Sequence, residues 1–87
     1  MRKILVTGGC GFLGSNIAAH YLQAGWQVTV VDAMFRPGCP ANLAWLKPQA
    51  KDGQLTHILA DLADDAAVHA AFKEHGPFDY ILSLIHI

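Results

Sequence analysis

Lys3-Ile4-Leu5-Val6-Thr7-Gly8-Gly9-Cys10-Gly11-Phe12-Leu13-Gly14-Ser15 is the stretch whose reading decides the fold. Lys3 to Thr7 is a short apolar run rich in β-formers and stopped at once by glycines, which predicts a buried strand. Phe12 to Ala24 then has helical spacing, with Phe12, Ile17, Ala18, Tyr21 and Leu22 on one broad stripe and Gly25 as the stop. Between strand and helix the glycines fall as Gly8-x-x-Gly11-x-x-Gly14. Gly8 permits the tight turn out of the strand, Gly11 lets the backbone approach a pyrophosphate, and Gly14 lets the helix pack closely on the sheet. The first N–H groups of the helix, aided by its dipole, then favour phosphate oxygens.

Working outward, Gln27 to Val31 predicts a second strand, with Asp32 at its end. Ala33 to Ala41 holds two prolines and a glycine and is expected to be loop. Asn42 to Leu46 predicts a short helix halted by Pro48. Leu55 to Ala60 predicts a third strand, and Asp61 to His75 a helix started by Asp64 or Asp65. Val68, Ala71 and Phe72 give that helix its apolar face, and Gly76-Pro77 ends it. Phe78 to Leu82 predicts a fourth strand. Strands alternating with helices imply a parallel sheet with right-handed crossovers. Near-continuous apolar strands imply cover on both faces. The expected fold is therefore α/β: part of a doubly wound, Rossmann-type parallel sheet of about four strands with helices on both faces.

Composition agrees with a small folded domain. The chain has 87 residues, 53% of them hydrophobic, and a formal net charge of -1. Nothing basic enough for nucleic acid stands out. Cys10 and Cys39 do not make a disulfide framework. The apolar run after Met1-Arg2-Lys3 is too short for a signal core, and no run approaches the roughly 18 residues of a membrane span. The expectation is a soluble, cytoplasmic protein. His20, His57, His69 and His75 lack metal-ligand spacing, so no metal is expected.

Asp32 is the second candidate site residue. A carboxylate at the end of the second strand accepts hydrogen bonds from both ribose hydroxyls of NAD and repels a 2′-phosphate. It also suits a cap on the following loop. Arg36 is able to receive a 2′-phosphate or to flank the adenine or pyrophosphate; NAD is the expected cofactor. Asp61, followed by Leu62, suits either the adenine amino group or a helix N-cap. Cys10 and Trp26 read as space-filling, and Trp45 as packing on a short helix.

Thr7-Gly8-Gly9-Cys10-Gly11-Phe12-Leu13-Gly14-Ser15-Asn16, Val31-Asp32 and Ala60-Asp61-Leu62 resemble the extended short-chain dehydrogenase/reductases, the NAD-dependent sugar-nucleotide epimerases and dehydratases. Arg36-Pro37-Gly38 followed by Asn42-Leu43-Ala44-Trp45-Leu46 is similar to the CDP-paratose (CDP-tyvelose) 2-epimerases within them. The resemblance implies Gly8, Gly11, Phe12 and Leu13 at the pyrophosphate, with Gly14 completing the cofactor-binding turn. It implies Asp32 and Arg36 on the adenosine ribose side, with Asp61 and Leu62 at the adenine. Ala33 departs from the asparagine often found there. The implied activity is transient oxidation of a sugar carbon by bound NAD, with a nucleotide sugar as substrate and no nucleic-acid or membrane partner. A homo-oligomer of the full-length protein stays open. The family's base is a tyrosine in Tyr-x-x-x-Lys, yet Tyr21 is followed by Gly25 and Tyr80 by Leu84. No catalytic residue is therefore assigned, and the 87-residue chain is expected to be inactive, as an N-terminal part of the enzyme. The other implied readings are another member of the family (a 4-epimerase, dehydratase or reductase) and a non-catalytic nucleotide sensor.

After Asp79-Tyr80-Ile81-Leu82 the family pattern breaks: Ser83 stands in place of its histidine, and Ile85 and His86 in place of small residues. Leu82-Ser83-Leu84-Ile85-His86-Ile87 is similar to the translation of a transposase end sequence used in sequencing libraries. Residues 1–82 are thus expected to be the N-terminal part of the NAD-binding domain, and 83–87 a foreign tail.

Overall fold

The structure is a computed structural model. It describes residues 2–8, 12–32, 38–59 and 65–83, apart from some side chains inside the elements. Strand β1 (Lys3–Thr7) leads to helix α1 (Phe12–Gln23) and strand β2 (Gln27–Asp32). Helix α2 (Cys39–Leu46) runs into a 3-10 segment (Lys47–Gln49), followed by strand β3 (Leu55–Leu59), helix α3 (Asp65–His75) and strand β4 (Tyr80–Ser83). The sheet has four strands in the order β3-β2-β1-β4, and every pairing is parallel.

The spatial order explains the helix placement. The chain moves from β1 to β2 to β3 in one direction, then crosses back to β4. Right-handed crossovers therefore put α1 and α2 on one face and α3 on the other. Alternate strand residues show the same division. Ile4, Val6, Val28 and Val30 pack with Ala18, Ala19 and Leu22 of α1 and Cys39, Leu43 and Leu46 of α2. Leu5, Thr29 and Val31 point the other way and are buried too.

The expected cover on both faces holds for β1 and β2 and weakens toward the edges. β3 is half-buried to exposed along its length, and Tyr80 and Ile81 of β4 are exposed. Each of these strands pairs on one side only among the described residues.

Two sequence expectations are corrected in the second connection. The helix begins at Cys39 rather than Asn42, with Pro40 in its first turn, where a missing N–H costs nothing. Pro48 does not halt the chain outright: it sits near the start of the 3-10 segment, again where no N–H is needed. Trp45 is also corrected, since its side chain is 48% exposed and does not anchor packing. Trp26 does pack. Its ring lies 4.9 Å from that of Tyr21 and 5.6 Å from that of Tyr80, and the Arg2 guanidinium sits 5.5 Å from it.

Candidate dinucleotide site

In an open parallel sheet the chain leaves the strands in opposite directions where the strand order reverses, which opens a crevice at their carboxyl ends. Here that point lies between β1 and β4. The glycine turn begins there. Gly8 follows the last residue of β1 with φ of 70°, the left-handed region that glycine enters without strain. Its N–H donates to the Val31 carbonyl at 2.8 Å, which fixes the start of the turn against β2. On the other side, the Thr7 hydroxyl donates to the Leu82 carbonyl of β4 at 3.4 Å. The two strands that border the crevice are thereby tied together beneath it.

Helix α1 starts at Phe12, so the first residues of its opening turn are Phe12, Leu13 and Gly14. Their N–H groups lack partners within the helix and face the side from which β1 arrives. Leu13 is 57% exposed, whereas Gly14 and Ser15 are buried. A buried Gly14 is what close helix-on-sheet packing requires. Asp32 ends β2. Because Thr7 pairs with Val31, Asp32 stands level with Gly8 on the neighbouring strand, and its side chain is half-buried.

The structure thus brings Gly8, Phe12, Leu13, Gly14 and Asp32 to one edge of the sheet. Gly11, Arg36, Asp61 and Leu62, with Cys10, lie outside the described residues. Two residues at this edge had no role from the sequence: Thr7, whose buried hydroxyl reaches β4, and Ser15, buried in the first turn of α1. A polar residue directly beside the glycines was the available signal for both. Among the described residues no three His, Cys, Asp or Glu side chains converge as metal ligands. No helix among them is long and apolar enough to cross a membrane.

A family model described as the NAD dependent epimerase/dehydratase family matches residues 4–86. The chain belongs to that family. A putative UDP-arabinose 4-epimerase 4 of Arabidopsis thaliana is 41% identical over 84 residues, covering 94% of this chain and 19% of that protein. The CDP-paratose 2-epimerase of Salmonella typhi is 52% identical over 44 residues, covering 51% of this chain and 13% of the relative. Among solved structures, a Thermus thermophilus UDP-glucose 4-epimerase complex with NAD superposes with a TM-score of 0.74 at 29% identity, covering 98% of this chain and 24% of that one. The chain spans about a fifth of the length of the first curated relatives it matches.

The residues present fit the family's cofactor. A left-handed glycine after β1, a buried glycine two residues into α1, a helix start at the crevice and a carboxylate level with Gly8 stand at one edge, and these are the donor and acceptor types that a dinucleotide's pyrophosphate and ribose call for.

Proposed function

We propose that this chain is the NAD-binding N-terminal part of a nucleotide-sugar epimerase that acts as the CDP-paratose 2-epimerases do. The observation that carries the reading is the meeting of the Gly8 turn, the start of α1 and Asp32 at the strand-order reversal. In this reading Gly8, Gly11, Phe12 and Leu13 hold the pyrophosphate through backbone N–H groups and close approach, and Gly14 lets α1 pack closely enough on the sheet to present them. Asp32 accepts from the adenosine ribose hydroxyls, Arg36 flanks that side, and Asp61 and Leu62 border the adenine. NAD supplies reversible hydride transfer with the sugar carbon; the chain binds and orients it. The chain covers about a fifth of its relatives' length and holds no Tyr-x-x-x-Lys, so in this reading the proton-moving tyrosine and lysine and the nucleotide-sugar pocket come from the rest of the enzyme. The 87-residue chain alone is then a binder without turnover.

The 2-epimerase specificity is supported by Asn42-Leu43-Ala44-Trp45-Leu46 and by the 52% identity to the Salmonella protein. A second reading, a UDP-sugar 4-epimerase, is supported by the longer match to the Arabidopsis relative, 84 residues against 44. Assay of the product of the complete reading frame separates them. Interconversion of CDP-paratose and CDP-tyvelose supports the first, and epimerisation of UDP-arabinose at C4 supports the second. A complete frame without Tyr-x-x-x-Lys, and no turnover of either sugar, would overturn both and leave a nucleotide sensor.

A further inference from the structure

We infer that Gln54, at the far end of α1 from the glycine turn, is a positioning residue for that turn; the inference rests on the dinucleotide reading above. Gln54 is 5% exposed. Its Nε2 donates to the Leu22 carbonyl at 2.7 Å and to the Trp26 carbonyl at 2.8 Å. Its Oε1 accepts from the Lys51 N–H at 2.9 Å. Its backbone carbonyl accepts from the Val28 N–H at 2.7 Å. One side chain therefore joins the last turn of α1, the entry to β2 and the turn into β3.

The buried face of α1 shows why this matters. It consists of Gly14, Ser15, Ala18, Ala19 and Leu22. Four of the five are small, so the face lies close on the sheet with few protruding side chains near the glycine turn; the buried Leu22 and the half-buried Tyr21, which packs against the core, sit toward the Gln54 end. Directional hydrogen bonds at Gln54 fix that end of the helix along its axis. Helix α1 has 12 residues, about 18 Å of rigid rod. A shift at Leu22 is carried to Phe12, Leu13 and Gly14, where the N–H groups meet the pyrophosphate.

The test compares the 87-residue chain with two variants, using amide NMR spectra and titration with NAD. Gln54→Met keeps the length of the side chain and removes all three of its hydrogen bonds. Gly53→Ala is milder: Gly53 has φ of 75° and open space around the added Cβ, so alanine strains only the turn that aims Gln54. If Gln54→Met fails to fold, Gly53→Ala carries the test. The expected result is displaced amide signals at Phe12 to Ser15 and an NAD dissociation constant raised about two- to fivefold, the scale of a helix-terminus contact. Changes confined to residues 22–28 and 51–55, with NAD affinity equal to the parent where both are folded, would overturn the inference alone. A parent chain that does not respond to NAD overturns the dinucleotide reading and this inference with it.

Discussion

Replacing Gly8 by alanine isolates the backbone demand of the glycine turn. Gly8 has φ of 70°, and its N–H is held by the Val31 carbonyl at 2.8 Å, so with that end fixed a change to negative φ would redirect the chain as it leaves β1. Holding an L-residue in the left-handed region costs about 1–2 kcal/mol. A Gly8→Ala variant should therefore lose about that much stability, or roughly 5–10 °C in Tm for a domain of this size. Asparagine enters the left-handed region more readily than alanine, so Gly8→Asn should lose less. Urea unfolding followed by the fluorescence of Trp26, half-buried against Tyr21 and Tyr80, measures all three chains. Equal stability of Gly8→Ala and the parent, or an asparagine variant weaker than the alanine one, would refute the strain argument.

Leu46→Ala, at a fully buried position of α2, should cost about 2–5 kcal/mol by the same unfolding measurement, because its cavity lies in the main core cluster. Asp32→Ala should weaken NAD binding and narrow the preference for NAD over NADP, since the carboxylate that repels a 2′-phosphate is gone; titration with both cofactors checks it. If residues 83–87 are foreign, overlapping reads across the genomic locus should show the frame leaving this sequence near Leu82. A native gene that ends at Ile87 would refute that expectation.

The strands were legible because their signals are local: Lys3 to Thr7 is apolar and stopped by Gly8, whose φ of 70° is the left-handed turn that the glycine implied. Cys39 and Pro40 were less legible, since proline is read as a breaker although the first turn of a helix accepts it. Trp45 was misjudged for a related reason: its burial depends on which side of α2 meets α1, and the sequence of so short a helix hardly specifies that. The Thr7 link to β4 and the Gln54 clamp depend on the strand order β3-β2-β1-β4. They join residues 75 and 32 positions apart in the chain, and no local pattern announces contacts of that kind.

Titrating the isotope-labelled 87-residue chain with NAD tests the central claim most directly. The account predicts saturable shifts of the Gly8, Leu13, Gly14 and Asp32 amide signals, with no comparable response at Lys47 to Gly53 on the opposite edge. Shifts centred anywhere else, or none up to millimolar NAD, would contradict it.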